Sequence, residues 1–229
     1  QYAVAETMSP LVRRVIARNP SKFTFTGTGT YLVGGGRDVA VIDPGPDLPE
    51  HRDALIKALD GHRVTAIVVT HCHSDHVGLV GWMREITGAP TVAWGPHGDV
   101  GVLDNDADLE VMKELAPPPK TAEEIEAERE VARKAGLDPD HLELRESVDT
   151  DFVPDVRVDD GDVAASAEGW TLRAVHTPGH TSNHMCVALD EERALFTGDH
   201  VMGWSTTVVS PPDGDMRAYL ESQIARAHV

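Results

Sequence analysis

The sequence predicts an α/β fold in which two packed β-sheets carry helices on their outer faces. Three observations predict it. Short β-branched runs alternate with helical patterns in the first half. Strand runs closed by one helical pattern fill the last third. Ionisable residues gather at the exits of the most apolar runs, where the rim of such sheets would lie.

"GTGTYLVGG" (Gly27–Gly35) and "RDVAVIDPG" (Arg37–Gly45) read as two strands, with the glycines Gly34–Gly36 allowing a tight turn between them. "PEHRDALIKALD" (Pro49–Asp60) spaces Ala54, Leu55, Ala58 and Leu59 for one helical face, and Pro49 suits a first turn. "VTAIVVT" (Val64–Thr70) is continuously apolar, the pattern of a strand covered on both faces. A histidine-rich loop follows, then a helix over Leu79–Thr87 that Gly88-Ala89-Pro90 stops.

The middle has another character. "APPPKTAEEIEAEREVARKAGLDP" (Ala116–Pro139) opens on a proline triplet, and Thr121 with Glu124 forms a capping box. A charged helix then runs to Gly136, its faces those of a solvated surface element. We read residues 97–165 as an acidic, helical insertion within a single domain spanning 1–229. Beyond it, "DVRVDD", "GDVAASA", "WTLRAVHT", "HMCVALD" and "RALFTGD" read as short strands, and Asp215–His228 as a helix.

Composition narrows the function. Of 229 residues, 41% are hydrophobic and 25% charged, as in ordinary globular proteins. No apolar run approaches the ~20 residues that cross a bilayer, and no export signal is visible, so the expected compartment is cytoplasmic and no membrane partner is expected. The chain begins at Gln1, which leaves a leader upstream open. The formal charge is −18, which disfavours nucleic acid as the main partner, because that affinity rests on Lys and Arg displacing counterions. The two cysteines, Cys72 and Cys186, read as free thiols.

The chemistry lies in "VVTHCHSDHVGLVGW". His71, His73, Asp75 and His76 occupy six residues directly after a buried strand. Imidazole and carboxylate ligate zinc, iron or manganese, whereas burying so many ionisable groups unpaired would be costly. "VHTPGHTSNH" sets His180 after an apolar strand, and "ALFTGDH" does the same with Asp199. Cys72 alternates with His71 and His73 and so should point away. Trp82 and Trp94 read as packing residues, and His97 as a loop histidine.

The motif His71-Cys72-His73-Ser74-Asp75-His76, followed in order by "TPGHT" (Thr177–Thr181) and "TGD" (Thr197–Asp199), resembles the metallo-β-lactamase superfamily. The hairpin "TYLVGGGRDVAVIDPG" resembles its N-terminal region. The resemblance covers nearly the whole chain and implies an αββα sandwich of two mixed sheets flanked by helices. It places His71, His73 and His180 on one metal, Asp75 and His76 on a second, and Asp199 between them. Asp43 would orient ligands from behind, with a turn-forming role before Pro44 as its alternative. Asp75 would also position the hydroxide or take its proton. The implied cofactor is zinc, two ions in a complete chain with one as the alternative for this form, and iron or manganese as alternative metals.

The family's last histidine sits after the helix that follows the bridging aspartate. This chain stops at Val229, and His228 lacks the expected setting, so a missing C-terminal part and an incomplete second site are expected. His200 is the substitute within reach of the motif. "TPGHTSNHM" and "TGDHVMGWSTTVV" look most like a subgroup related to glyoxalase II and to a single-strand endoribonuclease branch, in which His184 either contacts substrate or supports the ligands. The insertion should overhang the metal site. The expected activity is metal-dependent hydrolysis of a small-molecule ester, thioester, lactone or amide. A nuclease cutting single-stranded RNA and a mononuclear iron sulfur dioxygenase are the alternatives, and a homo-oligomer is left open.

Overall fold

The computed structural model describes residues 1–21, 23–96, 121–134, 148–149, 151–211 and 213–226. The chain divides into two compact units, one of Gln1–Gly98 with Val148–Val229 and one of Asp99–Ser147. In the second, helix α4 (Ala122–Lys134) is described, with an Arg133–Glu126 ion pair of 2.8 Å along it. The proline triplet, the Glu124 side chain of the capping box, the stop at Gly136, the overhang, His97 and His228 lie outside the described residues. Of the segment 97–165, residues 97–98 and 148–165 belong to the first unit.

The first unit holds two sheets. The larger has the order β1 (Ala5–Thr7), β2 (Val12–Ile16), β3 (Gly29–Val33), β4 (Asp38–Ile42), β5 (Arg63–Val68), β6 (Thr91–Ala93) and β7 (Val156–Arg157). Its first four strands run antiparallel and the pairs from β4 to β7 are parallel. The smaller sheet, β8 (Val163–Ala167), β9 (Trp170–His176), β10 (Met185–Leu189) and β11 (Ala194–Phe196), is antiparallel among the described residues.

Period-two alternation builds the two cores. On β4, Val39 and Val41 point to one side and Ala40 and Ile42 to the other. The first pair packs with Leu32 and Ile67 under α1 (Pro49–Leu59) and α3 (Val80–Thr87), through Ala54, Leu55, Ala58 and Met83. The second pair joins Val68 and Val92 against Trp170, Leu172, Met185 and Val187 of the smaller sheet. β4 and β5 therefore lie covered on both faces, which is why their sequences are continuously apolar.

Four elements differ from the sequence reading. Strands β1 and β2 were not expected, because Arg13 and Arg14 interrupt the apolar pattern; only Val12 and Val15 of β2 are buried. Arg14 reaches Glu6 on β1 at 2.8 Å, and Arg13 donates to the Ala58 carbonyl at 2.9 Å. Strand β6 has three residues, too few for periodicity to register. A short helix α2 (Ser74–Val77) turns the histidine loop before α3 begins.

The last helix, α5 (Met216–Arg226), docks against the turn after β9. Asp215 caps it, accepting from the Arg217 and Ala218 N–H groups at 2.7 and 3.0 Å. The Ser222 hydroxyl donates to the Pro178 carbonyl at 2.9 Å, and the Asp215 N–H donates to the Gly179 carbonyl at 2.9 Å. Gly179 has φ +137°, and a Cβ there would lie 2.4 Å from the Tyr219 backbone. Among the described residues no helix is long and apolar enough to cross a membrane.

Two outcomes follow. Gly179→Ala should lower unfolding stability by about 2–4 kcal/mol in urea titration, since both its conformation and its space are denied. Gly36→Ala, with nothing within 4 Å of the added carbon, should change it by less than about 0.5 kcal/mol. The second outcome concerns His51, which is 2% exposed. Its Nε2 lies 3.0 Å from Thr30 Oγ1, and burial holds its pKa down at about 4 against 6.5. The unfolded chain therefore binds a proton that the folded chain refuses. Stability is full above pH 6.5 and declines as pH falls toward 4. The decline from this one group should be on the order of 3 kcal/mol, and subtracting the pH profile of His51→Gln should isolate it.

Candidate metal centre

The polar residues lie where the strands end. Asp43 follows β4, residues 69–73 follow β5, residues 177–181 follow β9, and residues 197–199 follow β11. β4 and β5 are parallel, so their exits share one edge. The Met185 N–H donates to the Thr70 carbonyl at 2.9 Å, tying the start of β10 to that edge.

Four side chains converge. Ligand atoms of His71, His73, His180 and Asp199 all lie within 4.8 Å of one another. His73 Nδ1 is 3.0 Å from His71 Nε2 and 3.0 Å from His180 Nε2. Asp199 Oδ2 is 4.0 Å from His71 Nε2 and 3.7 Å from His180 Nε2.

The surrounding hydrogen bonds fix the protons. The Thr70 hydroxyl donates its single hydrogen to Asp43 Oδ2 at 2.7 Å, so at 3.0 Å from His71 Nδ1 its oxygen accepts. His71 thus carries its proton on Nδ1. His180 Nδ1 faces the Val208 carbonyl at 2.6 Å, which only an N–H can satisfy. Both imidazoles therefore present bare Nε2 lone pairs to His73 Nδ1, and that atom can offer a proton to only one of them. A cation among the three nitrogens resolves the conflict, and the donor set of three imidazoles and a carboxylate suits a transition metal. The residues present fit such an ion. Burial and the neighbouring imidazoles hold the His71 pKa well below its usual value, keeping it neutral as a ligand must be.

Asp199 faces both ways. Its Oδ1 lies 3.4 Å from His76 Nε2, which is also 3.5 Å from Asp75 Oδ2. His76 donates from Nδ1 to Asp43 Oδ2 at 2.8 Å, so its other nitrogen is aimed at the two carboxylates. Burial alone would lower the His76 pKa, but Asp75, Asp199 and Asp43 outweigh it and hold it well above the usual value. For Asp199, burial would raise the pKa, yet His76, His180 and His184 bring it below the usual carboxylate range. Asp75 Oδ2 accepts from the Thr28 hydroxyl at 2.7 Å, while its buried Oδ1 has no hydrogen-bond partner among the described residues. Asp75, His76 and Asp199 thus form a second polar group beside the first.

Asp43 accepts three hydrogen bonds, from Thr70 N–H, Thr70 Oγ1 and His76 Nδ1. His184 has no exposed surface and lies behind His71, the two rings tilted by 36° with centroids 5.1 Å apart. Its Nδ1 lies 2.9 Å from Thr177 Oγ1, and its Nε2 has no hydrogen-bond partner among the described residues. His200 turns to His184 and Tyr219, with centroids at 5.9 and 5.0 Å, and does not join the four-residue cluster. Cys72 Sγ approaches Asn183 Oδ1 at 3.6 Å, away from the imidazoles, and burial pushes the thiol up to about 12. Trp82 packs against the first core, and Trp94 stacks on His176 at 3.5 Å. Thr28 and Thr70 went unseen in the sequence. A threonine at a strand end is too common to stand out, and only its partners mark it.

The family model described as the metallo-beta-lactamase superfamily matches residues 24–227. A protein named atrochrysone carboxyl ACP thioesterase dmxR1, from Cryptosporiopsis sp. (strain 8999), is 34% identical over 206 residues, covering 89% of this chain and 48% of that protein. One named atrochrysone carboxyl ACP thioesterase, from Aspergillus chevalieri, is 33% identical over 220 residues, covering 95% and 53%. The chain thus spans about half the length of these curated relatives. Among solved structures, a metallo-beta-lactamase family protein from Thermus thermophilus superposes with a TM-score of 0.63 at 23% identity, over 96% of this chain and 70% of that one. The two packed sheets, the order of the three motifs and the match across residues 24–227 agree, and the chain belongs to the metallo-β-lactamase superfamily.

Proposed function

We propose that this chain is a metal-dependent hydrolase acting on acyl thioesters. The observation that carries the reading is the convergence of two bare imidazole lone pairs on His73, with the Asp199 carboxylate beside them. His71, His73, His180 and Asp199 would hold one cation; Asp75, His76 and Asp199 would hold a second, with His76 giving up the proton that the surrounding carboxylates otherwise favour on it. Bound metal supplies Lewis acidity and brings the pKa of water to about 7.

The chain's own groups do the rest. Asp75 is anchored through Oδ2 by Thr28, which leaves Oδ1 to orient water or take its proton. Asp43 and Thr70 keep the ligand imidazoles in their tautomers. In the reaction the water oxygen bonds to the acyl carbon, the carbon–sulfur bond breaks, and a proton passes to the departing thiolate. The products are a carboxylic acid and a thiol. The names of the curated relatives support a thioester over an ester or lactone. Against a phosphodiester stand the charge of −18 and the absence of Lys and Arg among the described residues that line the pocket beside Asp75.

Three outcomes are expected. The metal-loaded chain should release free thiol from acyl thioesters, read with a thiol-reactive dye, faster than it cleaves lactones or phosphodiesters. His73→Ala and Asp199→Ala should abolish that release and lose bound metal by elemental analysis; turnover surviving in both would refute the site. Iron at one per chain, with oxygen consumed and no thiol released, would assign the dioxygenase reading instead. Asp43→Ala should weaken metal binding by about 10–100-fold in chelator competition, because His76 loses its acceptor and Thr70 loses the partner that turns its oxygen toward His71 Nδ1.

A further inference from the structure

The second polar group opens into a pocket of about 100 Å3. Asp43, Asp75 and Asp199 are among the residues at its base. Phe23, Tyr31, Phe196 and Trp204 also line it, and among the described residues no lysine or arginine does. Just outside, Phe25 stacks on Trp204 with ring centroids 5.8 Å apart and planes inclined by 21°. The two rings are 62% and 49% exposed. They come from different stretches of chain, the loop before β3 and the loop after β11.

Neither ring is loosely placed. The Trp204 indole N–H donates to the Phe23 carbonyl at 2.8 Å, locking one loop to the other. Phe25 has φ 56°, a left-handed conformation uncommon for a bulky residue. Hydrogen bonds within the loop hold it there: Phe25 N–H to Ser21 O at 2.9 Å and Gly27 N–H to Thr24 O at 2.8 Å. The base of the same loop reaches the polar group, because Asn19 donates to Thr28 Oγ1 at 3.0 Å and Thr28 donates to Asp75. Strain retained beside an active centre is a mark of a functional segment.

We propose that Phe25, Trp204 and Phe23 form the specificity-determining wall of the site, receiving a flat, ring-bearing acyl group. This deepens the thioester reading and rests on it. The lining selects the occupant: Phe23, Tyr31, Phe196 and Trp204 offer aromatic surfaces, which favour a ring over a branched chain. The pocket is smaller than the apolar cavity of about 150 Å3 that takes benzene, so a flat ring system is enclosed only in part and its remainder lies against the exposed Phe25–Trp204 pair just outside.

The test compares naphthoyl and acetyl thioesters of one small neutral thiol, with the full chain loaded with zinc. The ratio of kcat/KM for naphthoyl over acetyl should fall at least tenfold in Phe25→Ala and in Trp204→Ala. Trp204→Phe should restore most of it. A ratio unchanged in both alanine variants overturns the proposal. Calorimetry with a naphthyl ketone, CH2 replacing the thioester sulfur, separates the two readings. If wild type binds the ketone and Trp204→Ala binds it at least tenfold more weakly, the ring site stands even where no thioester is cleaved. Equal binding by both, or binding by neither, overturns it.

Discussion

The buried carboxylate of Asp43 is the constraint on which the site depends. It is 4% exposed, lies at φ 49°, and receives three donors within 2.8 Å. No lysine or arginine is hydrogen-bonded or ion-paired to it among the described residues; hydrogen bonds and the His76 imidazole stabilise its charge. Through Thr70 it sets the proton of His71, and directly it sets that of His76. One acceptor thereby aims a nitrogen into each of the two polar groups. Were Asp43 neutral or absent, both imidazoles could reverse their tautomers, and the convergence at His73 would lose its electrostatic logic.

The fold makes this economical. Parallel β4 and β5 deliver Asp43 and His71 to one edge, and the apolar residues before them lie in two cores that fix the strands from both sides. Gly198 allows the third approach: a Cβ there would lie 2.8 Å from His184 Nε2 and 2.8 Å from Thr70 Oγ1. The Asp199 turn can therefore close down on the histidine loop only with glycine at that position. Rigid strands hold the ligands, and loops carry the parts that face a substrate.

Much of the candidate site was legible because its grammar is local. His71, His73, Asp75 and His76 lie within one turn of chain, and His180 and Asp199 each follow an apolar strand. The hairpin, α1, α3 and the smaller sheet were legible for the same reason, since each repeats a simple period. What escaped notice depends on partners distant in sequence. β2 hides its two buried valines behind arginines that satisfy Glu6 and the Ala58 carbonyl. Thr28 and Thr70 matter only because Asp75 and Asp43 stand opposite them. Phe25 and Trp204, remote in sequence, look like isolated surface aromatics until the folded loops stack them.

Those aromatics bear on how ligand geometry and substrate choice are linked. A single path of hydrogen bonds runs from Asn19 through Thr28 to Asp75, at the base of the loop that presents Phe25. A second runs from the Thr207 hydroxyl to the Asp199 carbonyl, at 2.5 Å, in the loop that presents Trp204. The first loop is thus tied to the Asp75 carboxylate and the second to the Asp199 backbone, the two residues whose carboxylates face His76. On the proposed reading, an acyl group that fills the pocket would steady both loops and with them Asp75 and Asp199, so that selectivity would act through the placement of the carboxylates as well as through affinity.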